Sequence, residues 1–254
     1  MLNGLYTAAS GLMMQQKRVD VIANNLANID TKGYKRDVAT FSQYLANPTG
    51  TPDDIIRNSD YNKMINATTR LDDISTDFSI GYMKETGRSL DLTLTNPDAY
   101  FAVDTPFGIR FTRNGDFTVD TEGDLATQEG YKVLSSLTTA QPIPVNQEGM
   151  FDVSNTGEIY VDGVATGRIA IAQFEDTKNL QKIGSNLFAA IDTIPVDSQY
   201  PGLEQGFLEG SNVNPMQEMV RMVEANREFE TYQKLVQSID DMNNQAINTV
   251  GSFS

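Results

Sequence analysis

Cysteine and histidine are both missing from the 254 residues of this chain. Without them there is no Cys/His zinc site, no Ser-His-Asp triad, no cysteine nucleophile and no imidazole acid or base. A disulfide framework is excluded on the same ground, although this does not decide the compartment. Basic residues are also scarce: 19 Lys and Arg stand against 34 Asp and Glu, a formal net charge of −15. Such a surface repels phosphate backbones and anionic lipid, which argues against nucleic-acid binding and membrane attachment. No run of about 18 apolar residues is present, so no spanning helix and no direct membrane insertion are expected. The N-terminal stretch MLNGLYTAASGLMMQQKRVD (1–20) lacks a basic leader and is interrupted by Gln15, Gln16 and Lys17. It does not read as a cleaved signal, so any export has to use another route.

What is present lies first at the two ends. Leu5, Leu12, Val19 and Leu26 recur every seven residues, with Ala8, Ile22 and Ile29 three places after members of that series. This is one apolar stripe on a helix of about 40 Å, spaced nearly as a coiled-coil seam. From Pro215 a second helix of about 50 Å is expected, with Asn212 or Asn214 as cap and proline in the first turn. Its stripe runs through Met222, Phe229 and Val236 with Ala225, Tyr232, Ile239 and Ala246, widened by Leu235 and Met242. Met13, Met14, Met216, Met219, Met222 and Met242 all fall on these two helices, where ordinary core packing is the plain reading and an adaptable contact surface the sharper one.

Between the ends the period changes to two. SLDLTLT (89–95), YFAVD (100–104), IRFTR (109–113), DFTVD (116–120) and GRIAIAQF (167–174) alternate as strands do. Asn114-Gly115, Glu122-Gly123, Thr156-Gly157 and Asp162-Gly163 separate such runs, and Asn-Gly is a strong hairpin signal. The expected fold is therefore α+β. Long N- and C-terminal helices (1–30 and 211–254) pair as a coiled-coil-like inner domain. Residues 31–75 form an extended linker or loop, and 76–210 an inserted all-β domain of short antiparallel strands. Two paired helices make a thin core, and contact with other copies of the chain is the simplest way to cover the rest of each apolar face.

Other clusters offer weaker readings. Asp116, Asp120, Glu122 and Asp124 gather about one hairpin, and a carboxylate pair is the minimum a glycosidase requires. Acids at turns are more often turn formers, and DFTVDTEGDLAT lacks the alternating ligands and closing glutamate of an EF-hand. No catalytic, cofactor or metal-binding residues are assigned. Asn24, Asn25 and Asn28 suit a helix end, with Gly33 supplying a left-handed exit. Arg18, Lys32, Lys35 and Arg36 form a basic spot, for which a solvated face is the plain reading and contact with an acidic patch of the next subunit, such as Asp240-Asp241 or Glu218, the sharper one.

A family resemblance rests on four motifs in order: NNLANIDTKGYKR (24–36) followed by Phe41, FTRNGDFTVDTEGDLATQEGYKVL (111–134), GRIAIAQFEDTKNLQKIGSNLFAA (167–190) and GFLEGSNVNPMQEMVRMVEANREFETYQKLVQSIDDMNNQAIN (206–248). Together they resemble the flagellar basal-body rod and hook protein family, with features of both distal- and proximal-rod members. Asn96-Pro97-Asp98-Ala99 departs from the Gly-rich turn usual before the YFAV-like strand. The resemblance implies a non-enzymatic structural subunit of the rod, in the basal body within the cell envelope. Such subunits polymerise helically into a hollow shaft that transmits torque and carries the export channel. Its partners would be copies of itself, other rod and hook proteins, and the flagellar type III export apparatus, which passes it without signal cleavage. The expected polymer interface comprises Leu5, Leu12, Val19, Ile22, Asn24, Asn25, Leu26, Asn28, Gly33 and Lys35, with Met222, Phe229, Tyr232, Val236 and Ile239. Alternatives are a hook-type axial protein and a secreted carboxylate-dependent peptidoglycan hydrolase.

Overall fold

A computed structural model describes residues 2–44, 68–137, 141–145, 151–184 and 186–251. The chain divides into two units, one of Met1–Leu26, Asp37–Ser75 and Asn214–Ser254, the other of Ala27–Arg36 and Thr76–Val213.

The first unit contains both long helices, α1 (Leu2–Ala27) and α2 (Pro215–Gly251). Asn214 caps α2: its side-chain oxygen accepts from the backbone N–H of Met216 and Gln217, at 3.1 and 3.2 Å. These are donors that the first helical turn leaves without partners. Proline follows at the first helical position, where its missing N–H costs nothing. The helices touch where Gly11 lies against the Tyr232 ring, and a Cβ on Gly11 would sit 2.5 Å from it. Gln15 and Arg18 both donate to Glu228 Oε2, at 2.6 and 2.9 Å. The chain rises along α1 as it falls along α2 through these contacts, so the two helices are antiparallel there.

The strands Arg36–Tyr44 and Thr68–Asp77 pair as a two-stranded sheet. Residues 36–44 and 68–75 of the stretch 31–75, expected as an extended linker or loop, are therefore strand. The middle of the stretch, 45–67, lies outside the described residues. The alternation in RDVATFSQY (36–44) was hidden by the polar side chains that a thin two-stranded ribbon tolerates.

The second unit is built on a nine-stranded antiparallel sheet. Its main path runs Leu180–Gly184, Leu187–Ala190, Gly108–Thr112, Ala99–Thr105, Lys132–Val133, Leu125–Thr127 and Phe117–Val119. Ile171–Gln173 joins beside Ala99–Thr105 and carries Val196–Asp197 on its outer edge. Phe151–Val153, Glu158–Val161 and Val164–Arg168 make a separate three-stranded sheet. Successive side chains of a strand face opposite sides. Phe101 and Val103 therefore enter one core cluster with Leu92, Phe117, Leu125 and Ile159, while Tyr100 and Ala102 enter another with Phe111, Phe174 and Phe188. Both faces of the central strand are thus covered. Phe101 meets Phe117 edge-on at 5.1 Å, and burying a ring of that size contributes about 2–3 kcal/mol.

The turn signals fared unequally. Glu122-Gly123, Thr156-Gly157 and Asp162-Gly163 each join antiparallel neighbours. Asn114-Gly115 does not: Gly108–Thr112 pairs with Ala99–Thr105 and Leu187–Ala190, whereas Phe117–Val119 pairs with Leu125–Thr127. The glycine there serves close approach, since a Cβ on Gly115 would lie 1.7 Å from the Leu92 carbonyl oxygen. Asn114 forms a local turn of its own, with Oδ1 accepting from the Asp116 N–H at 3.1 Å.

Candidate functional site

The segment that follows α1 is gripped by the β unit, and the grip begins at Gly33. Its φ is 66°, a left-handed value that glycine adopts without cost. A Cβ there would lie 2.5 Å from the Asn114 nitrogen, so backbone contact as well as conformation requires glycine. The Gly33 N–H donates to the Glu209 carbonyl at 2.8 Å. Tyr34 is buried beneath Lys182, whose ammonium lies 3.8 Å from the ring centroid and donates to the Lys35 carbonyl at 2.9 Å.

Lys35 is the centre of the arrangement. Its side chain has no exposure, and Nζ donates to Glu209 Oε1 at 2.6 Å and to the Ser79 carbonyl at 2.7 Å. Arg113, also fully buried, donates to Glu209 Oε2 through Nε at 2.8 Å, and its Nη2 lies 2.8 Å from the same oxygen as an ion pair. Its remaining donors reach the carbonyls of Leu94, Asn96 and Ala99 at 2.6–2.9 Å. The Gly81 N–H completes the carboxylate shell of Glu209 at 3.0 Å. A buried charge is tolerated only when paired and hydrogen-bonded, and here one carboxylate serves two cations. Burial alone would raise the Glu209 pKa, but Arg113 and then Lys35 outweigh it and hold it below the ordinary glutamate value. The Lys35 pKa is pushed down, chiefly by burial and further by Arg113, against the pull of Glu209.

Asn212 ties the same region from the other end of the chain. Its Oδ1 accepts from the Arg36 N–H at 2.7 Å, and its Nδ2 donates to the Asp77 carbonyl at 2.8 Å and the Ser79 carbonyl at 3.2 Å. Arg36 pairs with Asp77 at 3.0 Å. Residues far apart in sequence, 34–36, 77–81, 94–99, 113 and 209–212, are thereby joined at one node within the second unit.

These contacts revise several sequence-based assignments. Lys35 was expected to face the next subunit; instead it is enclosed by its own chain. The other members of the basic spot are also engaged internally, Arg18 with Glu228, Lys32 with Asp116 and Arg36 with Asp77. Glu218, one expected acidic target, is buried and paired with Arg221. Asn25 is buried too, and exchanges two hydrogen bonds with the backbone of Asp37, at 2.8 and 2.9 Å, in place of a neighbour's backbone. Asn28 accepts from the Thr31 hydroxyl at 3.2 Å, and Asn24 is exposed. Sequence pattern points only weakly to Glu209, through a carboxylate closing the otherwise apolar run GFLE.

On α1, Ile22 is buried and Leu12, Val19 and Leu26 are half-buried, while the Leu5 side chain lies outside the described residues. On α2, Met222, Phe229, Tyr232, Val236 and Ile239 are half-buried around a fully buried Ala225. Leu235 and Met242 do not widen that stripe: they are 47% and 54% exposed. Each lies about 100° of helical turn off the stripe's centre, too far round to share its face.

The acidic hairpin forms an ion-paired turn. Oxygens of Asp120, Glu122 and Asp124 lie within 4.8 Å of one another, close enough to hold a metal ion. The Lys132 ammonium sits among them, 2.8 Å from Asp124 and 3.6 Å from Asp120, and in contact with Glu122. Asp120 accepts from the N–H groups of Asp124 and Glu122, and its pKa is held low by those bonds, that from Asp124 foremost. A glycosidase acid requires the opposite shift.

Among the described residues no helix is long and apolar enough to cross a membrane. Three family models match the sequence. "Flagella basal body rod protein" covers residues 5–35, "Flagellar hook protein FlgE/F/G D1 domain" covers 96–161, and "Flagellar basal body rod FlgEFG protein C-terminal" covers 204–249. The two sides of the node, 33–35 and 209–212, fall inside the first and last of these. Flagellar basal-body rod protein FlgG of Bacillus subtilis (strain 168) is 32% identical over 266 residues, 98% of this chain and 99% of that protein. Flagellar basal-body rod protein FlgF of Rhizobium meliloti (strain 1021) is 31% identical over 254 residues, 99% of each. Flagellar hook-basal body complex protein FlhO of Bacillus subtilis is 32% identical over 280 residues, the whole of both. With likeness extending over the full length, the chain belongs to the flagellar basal-body rod protein family, as a structural subunit of the rod.

Proposed function

We propose that copies of this chain assemble helically into a hollow axial shaft in the basal body, transmitting torque and leaving a channel for export. The observation that carries this reading is the distribution of apolar side chains on the terminal helices. Half-buried rows run along the described side chains of α1 and α2, 8–27 and 215–245, and Met13, Met216, Met219 and Met242 are more than half exposed. A helix of 37 residues with so much unburied apolar surface is better stabilised among neighbours than alone. In this proposal α1 and α2 pair lengthwise as an inner domain (1–30 and 211–254), and the β-rich domain (76–210) lies outward. The polymer interface includes Leu5, Leu12, Val19, Ile22, Leu26, Met222, Phe229, Tyr232, Val236 and Ile239, with Asn24 and Asn28 at the end of α1. Partners are other copies, adjoining rod and hook proteins, and the flagellar export apparatus. The role is mechanical and not enzymatic. A hook-like role draws on the match of 96–161 to a hook-protein domain, but the FlgG and FlgF relatives, which match nearly the whole chain, are named rod proteins.

The test is Leu12→Asp and Phe229→Asp. An unpaired carboxylate at each repeated helix contact costs several kcal/mol, so polymers should vanish in electron micrographs while the β unit stays folded by circular dichroism. Normal assembly and motility in both variants would refute the proposal.

A further inference from the structure

The helix α2 carries more apolar surface than one stripe requires, and the surplus is organised. Met216, Met219, Val220 and Val223 are 74%, 53%, 54% and 53% exposed. Their spacing of three, four and seven residues places them on one face. At about 100° per residue this row lies roughly opposite the half-buried stripe through Met222, Ala225 and Phe229. Further along, Leu235 and Met242, seven apart, make a second exposed patch about a quarter turn away from the first. The helix therefore presents apolar surface on opposite sides at its start, and on a third azimuth near its end.

The two exposed patches match in length. The interval from Met216 to Leu235 equals that from Val223 to Met242, and corresponds to about 28 Å of helix at 1.5 Å per residue. Within each patch no charged side chain falls on its own azimuth; Arg227 and Glu230 follow the first, and Glu224 and Glu228 precede the second. Because they lie on different azimuths of one helix, a single partner helix cannot cover both. A second copy of the chain can cover one and leave its own counterpart open for a third.

We propose that the row Met216–Met219–Val220–Val223 docks on the Leu235/Met242 patch of another copy, the two α2 helices parallel and offset axially by about 28 Å. This rests on the reading of the chain as a polymerising subunit, and it specifies one contact of that polymer. The interface is heterologous: each copy offers a different surface above and below, so it propagates without closing. Copies related by one screw operation keep the same sense along its axis, so like helices that run close to the axis come out parallel, as the offset requires. Six side chains are far short of the roughly 800 Å² per partner of a stable interface. The isolated contact is therefore weak, and the chain is a monomer in dilute solution that associates cooperatively once several contacts form together.

The absence of native cysteine makes the register directly testable. In the offset pair Val220 of one copy comes beside Ser238 of the next, whereas within one chain the two are about 27 Å apart, beyond any disulfide. The double variant Val220→Cys/Ser238→Cys, polymerised and then mildly oxidised, should give a ladder of dimer, trimer and higher species on non-reducing gels. Neither single variant should give more than trace dimer. A second readout is Val220→Asp at this exposed position, which should raise the critical concentration for polymerisation at least tenfold with an unchanged monomer spectrum. Polymers that sediment normally but yield no ladder overturn the register and leave the proposed function standing. Abundant dimer from Val220→Cys alone overturns it in favour of a symmetric contact. Failure of the unmodified chain to polymerise at any concentration overturns both.

Discussion

The buried node gives a prediction whose sign follows from counting charge. Glu209 faces two cations, Lys35 and Arg113, and all three side chains are at most 1% exposed. Glu209→Gln leaves both cations buried with no counter-charge, whereas Lys35→Met leaves Arg113 and Glu209 as a neutral pair that keeps its bonds and the Gly81 donor. Removing one partner of a buried ion pair costs about 3–5 kcal/mol. For Lys35→Met the main loss is the donor to the Ser79 carbonyl, about 1–2 kcal/mol, partly offset by the apolar replacement of a cation that burial already disfavours. Glu209→Gln should therefore be the more destabilising, by about 1–4 kcal/mol. Urea unfolding of the full chain, followed through the tyrosine and near-ultraviolet signals of the β unit, measures the difference. Equal losses, or a greater loss for Lys35→Met, would show that the node is not short of negative charge and would refute this account.

Three further predictions follow from the same contacts. Glu209, Asp77 and Asp120 have pKa values below their ordinary ones, so the folded state binds fewer protons than the unfolded one and stability falls as pH drops below the ordinary glutamate value of 4.5. The fall should be shallower in Glu209→Gln, as measured by thermal unfolding between pH 5 and about pH 3. Gly33→Ala combines a left-handed φ with a Cβ set against the Arg113–Asn114 backbone, and should cost about 2–4 kcal/mol in urea titrations. Asn25→Ala removes both hydrogen bonds to the Asp37 backbone and should cost about 1–3 kcal/mol, with faster amide hydrogen exchange at Asp37 itself. An unchanged Asp37 exchange rate would show that these bonds are not held in solution.

The sequence by itself determined what depends on neighbours along the chain. The seven-residue recurrence through Leu12, Val19 and Leu26 encodes a helical face, and Asn214-Pro215 encodes its partner helix's start, because capping acts within one turn. The Glu122-Gly123 hairpin was equally legible, since turn and strands are contiguous. The candidate site was only half legible: its motifs stood out, but their partners did not. Lys35 looked like surface charge because lysine usually is, and its true partner lies 174 residues away. Asn114-Gly115 carried a strong hairpin signal, yet that glycine serves the close approach of the Leu92 carbonyl, 23 residues earlier in the chain. Leu235 and Met242 fitted a widened stripe on paper, and only packing decided which azimuth of α2 turned inward. Local preference is set by dihedrals and short-range hydrogen bonds; the choice among partners for a buried charge or an apolar face belongs to the tertiary fold, where desolvation makes one pairing far cheaper than the rest.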